Sequence, residues 1–239
     1  MADEKSPGPS GLNFGGAKSM RLIFSIITGI GLIAATASDS WADAAAGKAA
    51  FEAKKCNECH YTDGPAKEKS IAEQLAKKGP ELWYAGSKFQ KPWLQAWLVD
   101  PKPIRSLKYN SLTEKNAGGH PKLSGGDAGN VTDFLMSKTS GEVKAGTIKP
   151  KKSLKGKKIF NKKMPCTGCH QSANKKGKVS GGFSGPTLVG VSKRLNPDWI
   201  YAYLANPTHF KPFKAMPTFA GILKDKDLKN VAKHVSKLK

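Results

Sequence analysis

The sequence predicts an all-α protein in which one unit of a few short helices is used twice in tandem. Three observations predict it. Apolar residues recur at helical spacing in three short stretches. The same stretches return about a hundred residues later. A chain of 239 residues with 38% hydrophobic content is long enough for two small units. In the first copy the stretches hold Ala50 and Phe51, then Trp93, Leu94, Trp97 and Leu98, then Val131, Phe134 and Leu135. The second copy has Ile159 and Phe160, then Trp199, Ile200, Tyr203 and Leu204, then Val231 and Val235.

The repeat is legible residue by residue. GKAAFEAKKCNECH, from Gly47 to His60, answers GKKIFNKKMPCTGCH, from Gly156 to His170. Gly79, Pro80 and Leu82 match Gly185, Pro186 and Leu188 at a separation of 106. At the same separation WLQAWLVDPKPIR, starting at Trp93, matches WIYAYLANPTHFK, starting at Trp199. The expected divisions are an N-terminal extension and export signal over 1–42, a first unit over 43–138, a linker over 139–155 and a second unit over 156–239. The linker, TSGEVKAGTIKPKKSLK, combines turn formers and a Lys cluster with little apolar content.

Residues 20–42 have the layout of a secretory signal. Lys18 and Arg21 form a basic start, Leu22 to Ala37 an apolar run, and Ser40 and Ala42 are small residues set two apart before a cleavage point after Ala42. The run is shorter than the ~20 residues that span a bilayer comfortably, so a signal is preferred over a membrane anchor. Residues 1–19 are polar and rich in Gly and Pro, and contribute nothing to a fold. An exported, periplasmic protein follows. Export also removes nucleic acid as the reason for the net charge of +22.

Only four cysteines occur, and they lie in two identical patterns: Cys56 and Cys59 before His60 in CNECH, and Cys166 and Cys169 before His170 in CTGCH. This is the c-type haem attachment motif, twice. Two thiols at that spacing add to the two vinyl groups of one porphyrin, and the adjacent imidazole becomes the proximal ligand of the iron. A zinc site, a redox dithiol or a disulfide within each pair would leave two matching histidines without a reason. Two haem c groups are therefore expected. Three short helices and long Gly/Pro-rich loops make a poor core for such a unit, so each haem also serves as the apolar disc around which its unit packs, and the chain without haem should be largely unfolded.

With these motifs in place, each half resembles a class I cytochrome c, and the whole resembles the two-domain dihaem cytochromes c, over about Gly47 to Lys138 and Gly156 to Lys239. The resemblance implies that the carbonyls of Pro80 and Pro186 accept the hydrogen bond from the proximal imidazole. It also implies a late Met followed by Pro as the sixth iron ligand. Met216 in KAMPTF has that place in the second half, nine residues after Pro207. The first half departs from the pattern: the matching residue is His120 in GGHPKL, nineteen residues after Pro101. The expected ligand sets are His60 with His120, and His170 with Met216. Met136 is read as core on the closing helix, His209 as a loop residue and His234 as part of the last helix.

Unlike ligand sets imply unlike potentials. A bis-imidazole site should lie below a His/Met one, so electrons are expected to pass from the first haem to the second. The charge is unlike too. Residues 43–140 hold 15 basic and 11 acidic groups, whereas residues 141–239 hold 22 and 4. Such a field would steer the second half toward an acidic face on a redox protein, or hold it to an anionic membrane surface. The expected function is a periplasmic single-electron carrier with no catalytic residues, or an electron-transfer subunit of a larger respiratory oxidoreductase. The rival is a haem enzyme with a labile ligand on the first iron, such as a dihaem peroxidase, although no catalytic motif surrounds His120. Donor, acceptor and oligomeric state are not written in the sequence.

Overall fold

A computed structural model describes residues 39–214 and 216–239. The extension and most of the expected export signal, residues 1–38, lie outside the described residues. The first half contains α1 (Asp39–Ala53), α2 (Ile71–Ala76), α3 (Ala85–Lys88), α4 (Lys91–Val99) and α5 (Gly125–Met136). The second contains α6 (Leu154–Lys158), continued by one π-helical turn (Ile159–Lys163), then α7 (Cys166–Cys169), α8 (Val191–Arg194), α9 (Pro197–Ala205), α10 (Pro207–Phe210) and α11 (Asp225–Val235). A two-residue hairpin, β1 (Ser172–Ala173) with β2 (Val179–Ser180), is the one paired sheet among the described residues. The three helical stretches expected in each half are present, and short single-turn helices fill the loops between them.

Local chemistry explains the starts. Ser124 accepts the Asp127 N–H at 3.1 Å and Ser153 the Gly156 N–H at 3.0 Å, so a hydroxyl caps α5 and α6. α4 and α9 each carry a proline in the first turn, where its missing donor costs nothing. Asp225 and Asp227 open α11, favourable against the positive end of the helix dipole.

One crossing organises each half. α1 packs along α5, and α6 along α11. At both crossings the closest point is a glycine from the repeated motif. A Cβ on Gly47 would run into the Asn130 carbonyl and stand 2.7 Å from Phe134 Cβ, and one on Gly156 would run into the Asn230 carbonyl and stand 3.0 Å from His234 Cβ. One turn on, Phe51 packs against Phe134 at 5.5 Å between ring centres, and Phe160 against His234 at 5.4 Å. His234 thus takes the place of a core aromatic on the last helix. Burial, with Lys157 nearby, keeps its pKa below the usual value.

The halves meet through residues that are themselves repeat partners. Phe89 and Leu195, 106 apart, form an isolated antiparallel bridge. On either side of it the Gln90 N–H donates to the Arg194 carbonyl at 3.0 Å and the Asn196 N–H to the Lys88 carbonyl at 2.8 Å. Gln90 and Asn196, like Lys88 and Arg194, are also 106 apart, so the bridge has a local two-fold axis of the kind that relates the subunits of a homodimer.

Symmetry ends at the side chains. Trp83 and Tyr84 of the first half are buried in the apolar cluster of the second, with Tyr84 against Trp199 and Phe210 at 6.2 and 5.0 Å. The segment 139–155 is pinned to both halves. The Ser140 N–H donates to Ser87 Oγ at 2.9 Å, and the Asp198 carboxylate accepts from the Gly146 and Ile148 N–H groups at 2.8 and 2.6 Å.

Gly156→Ala is expected to lower stability by about 1–3 kcal/mol, because backbone stands where the methyl would go. Gly126→Ala, where a Cβ meets nothing, should leave stability unchanged or raise it by about 0.4–1 kcal/mol. Denaturant titration of the two variants checks the difference.

Candidate cofactor sites

Each Cys-x-x-Cys-His segment closes into one tight turn. The first is a 3₁₀ turn over Cys56–Glu58 entered through Lys55 in the left-handed region, and the second is α7. In both, the N–H of the histidine donates to the carbonyl of the first cysteine at 3.0 Å. All four thiols are free, Cys56 and Cys166 half-buried and Cys59 and Cys169 exposed. Burial pushes the Cys56 thiol up and the Cys166 thiol up to about 11. Among the described residues no three His, Cys, Asp or Glu side chains converge on a point that could hold a bare metal ion.

Downstream glycine and proline set the rings. His60 Nδ1 lies 2.6 Å from the Pro80 carbonyl and His170 Nδ1 lies 2.7 Å from the Pro186 carbonyl. A carbonyl only accepts, so each Nδ1 carries the proton and each Nε2 is left with its lone pair. The preceding glycine makes the approach possible. A Cβ on Gly79 would stand 2.6 Å from His60 Cε1, and one on Gly185 2.7 Å from His170 Cε1. Burial is the largest influence on both imidazoles and lowers their pKa values, which keeps the rings neutral and their lone pairs available.

The structure brings His120 to His60. Their ring centres are 6.2 Å apart, tilted by 40°. Two imidazole–metal bonds of ~2 Å, plus ~1.1 Å from each nitrogen to its ring centre, would place two rings ~6.2 Å apart across one metal ion. His120 Nδ1 is 2.9 Å from the Pro121 carbonyl, so here too Nε2 is the free nitrogen. Trp97 packs on the ring at 4.7 Å, and its own indole N–H donates to the Lys102 carbonyl at 2.8 Å. The longer loop before His120 folds back on itself, with Leu107 bridged to Lys115. It is tied down where Asn110 Nδ2 donates to the carbonyls of Gln74 and Lys77 at 2.6 and 3.3 Å.

Met216 lies on the loop between α10 and α11, half-buried against the apolar cluster of the second half. Its backbone carbonyl accepts from Lys214 Nζ at 2.9 Å. Met136 packs at the edge of the first cluster, as expected of a core residue. His209, expected in a loop, sits in the single turn α10, with its ring 5.5 Å from Trp83 and Nε2 3.3 Å from Ser140 Oγ.

The charged neighbours of His60 and His170 differ: both signs stand near the first, only cations near the second. Next to Pro80 stands Glu81, 1% exposed, whose carboxylate accepts from Tyr84 at 2.7 Å, Lys77 at 2.6 Å and Lys211 at 3.1 Å. Lys77 also reaches Glu68 at 2.6 Å. Burial favours the neutral form of Glu81, but Lys211, Lys77 and Tyr84 outweigh it and hold the pKa at about 2. After burial and the Pro80 contact, His120 and Lys77 lower the basicity of His60 and Glu81 raises it, whereas Arg105 and Arg194 both depress that of His170. Arg194 is 5% exposed and donates to the Thr187 carbonyl. The sequence marks Trp97 only as an apolar helix residue and does not single out Glu81, Lys211 or Arg105. A lone Glu after Gly-Pro or a Trp on a helix has no signature until its neighbours are known.

A haem fits what these residues present: paired free thiols one turn from a neutral imidazole, a glycine where a larger residue would push the ring aside, and in the first half a second imidazole at two-ligand distance. Residues 153–239 match the family model for cytochrome c, so the second half contains a cytochrome c domain, which points to a haem-based electron-transfer role. No curated protein matches the chain. Among solved structures, a chain of the Kuenenia stuttgartiensis reducing HAO-like protein complex aligns over 80% of this chain and 94% of its own length, at 19% identity and a TM-score of 0.31.

Glu81 has a folded pKa far below the ordinary 4.5. Its contribution to stability is present above pH ~4.5 and is lost as the pH falls toward ~2. Glu81→Gln should cost about 3–5 kcal/mol at neutral pH, the usual effect of breaking a buried pair. It should also flatten the acid limb of the stability–pH curve between those values. Urea titrations across that range test both.

Proposed function

We propose that this chain is an exported, periplasmic c-type cytochrome with two covalently held haems, one in each half, and that it carries single electrons between redox proteins. The observation that carries this reading is the repeated placement of a neutral imidazole, its Nδ1 at 2.6 Å from one proline carbonyl and at 2.7 Å from the other, beside two free thiols. Bound there, each haem would supply reversible one-electron chemistry at its iron.

Cys56 and Cys59, and Cys166 and Cys169, provide the thiols for the four thioether bonds. His60 and His170 offer Nε2 as proximal ligands, while Pro80 and Pro186 fix the tautomer and ring direction. His120 in the first half and Met216 in the second would be the further residues to donate to the iron. An imidazole donates more strongly than a thioether, which favours the ferric state in the first half and the ferrous state in the second. Arg105 and Arg194 oppose positive charge near His170, whereas near His60 the Glu81 carboxylate is offset by Lys77. The difference in ligands supports a lower potential in the first half.

Trp97 and the tied loop hold His120 in place, which favours a carrier over an enzyme that must open its first site. The second half, with 22 basic against 4 acidic groups over 141–239, fits brief encounters with an acidic partner face. No helix among the described residues is long and apolar enough to cross a membrane.

Intact mass should show two haem additions. The first electron equivalent in a reductive titration should remove the weak far-red band of thioether-ligated ferric iron. One haem addition, or a band that survives into the second equivalent, would refute the two sites or their order. Cyanide should leave the first site unchanged in the native protein and bind it faster in Trp97→Ala, where His120 has lost its packing partner.

A further inference from the structure

Arg105 and Lys211 occupy the same place in the repeat, 106 residues apart at the ends of WLQAWLVDPKPIR and WIYAYLANPTHFK. Each lies on the stretch that leads from the Trp-containing helix, α4 or α9, toward the residue proposed as sixth ligand. Neither cation stays within its own half. Lys211, five residues before Met216, ion-pairs at 3.1 Å with Glu81, the residue after Pro80. It also donates to Tyr109 in the loop that leads to His120, at 3.3 Å. Arg105 donates to the Ser184 carbonyl at 3.2 Å, and its neighbour Ile104 accepts the Thr187 N–H at 2.8 Å, on either side of Pro186. The loop toward each sixth ligand is thus fastened to the segment that supports the other half's proximal histidine.

We propose that Arg105 and Lys211 form a reciprocal clasp that makes the ligand cages of the two halves interdependent, so that Met216 is held on its iron partly by a carboxylate in the first half. This rests on the reading of His60, His120, His170 and Met216 as axial ligands. The Lys211 arm is the stronger. Glu81 is 1% exposed and Lys211 17% exposed at its side chain, so removing Glu81 leaves Lys211 without its carboxylate, whereas removing Lys211 leaves Glu81 its contacts to Lys77 and Tyr84. The Arg105 arm uses backbone carbonyls and depends less on charge. Both residues are positioning residues; neither touches an iron ligand directly.

The test is displacement of Met216 by added imidazole in the dihaem protein, followed by loss of the far-red thioether–iron band. Glu81→Gln, a change in the opposite half from Met216, should lower the imidazole concentration for half-displacement by about tenfold, and Lys211→Gln should lower it in the same direction by a smaller factor, since Glu81 keeps Lys77. The double variant should be no weaker than either single one, as expected of two residues acting through one contact. Lys211→Arg should restore native behaviour, and Lys226→Gln, an exposed change of equal charge on α11, should have no effect. If Glu81→Gln fails to fold, Lys211→Gln and its Arg rescue carry the test alone. Native displacement in both single variants, or fully additive effects in the double variant, would overturn the clasp. Absence of the far-red band from the native protein would instead refute Met216 as a ligand and the functional reading beneath it.

Discussion

A hydrogen bond from imidazole Nδ1 to a proline carbonyl, formed once in each half, is the contact on which the rest of the structure turns. It fixes the tautomer, so the free lone pair lies on Nε2. It fixes the ring direction, because a glycine immediately before the proline leaves room for the ring and nothing larger would. The tight Cys-x-x-Cys-His turn and the glycine-centred helix crossing bring the two thiols and that ring to the same place in each half. An imidazole held in this way is a ready iron ligand before any metal arrives, and little conformational freedom remains to be lost on binding.

On this shared base the halves diverge where a difference has a chemical consequence. The first half has His120 with its ring centre 6.2 Å from that of His60, packed by Trp97, and a buried carboxylate one residue from Pro80. The second half has a methionine on a loop and two guanidinium groups near His170. The proposed difference in potential rests on ligand strength, since the carboxylate near His60 is itself paired with Lys77 and Lys211.

The join between the halves combines symmetry with its breaking. Repeat partners bond to one another around Phe89 and Leu195, as two copies of one unit would when they first associated. The Trp83 and Tyr84 plug and the Glu81–Lys211 pair have no counterpart of the same chemistry on the other side, where Val189, Gly190 and Thr187 stand. A join of this kind lets two similar units become unequal while remaining fastened together.

The two Cys-x-x-Cys-His segments, the paired prolines and the three main helices of each half were legible in the sequence because each depends on residues close together in the chain. Cys-x-x-Cys-His is one turn, Gly-Pro lies in one loop, and an apolar stripe repeats every helical turn. His120 was legible as the residue where Met-Pro became His-Pro, but its distance from His60 was not, since fifty-nine residues of loop and helix intervene. The segment 139–155 read as a linker because its composition is polar, yet its backbone N–H groups bond to Asp198 and Ser87, which composition cannot reveal. Sequence alone determined which atoms could hold iron. Tertiary structure decided which charges surround those atoms and which half holds which loop, because ion pairs such as Glu81–Lys211 join residues whose separation in the chain carries no periodic signal.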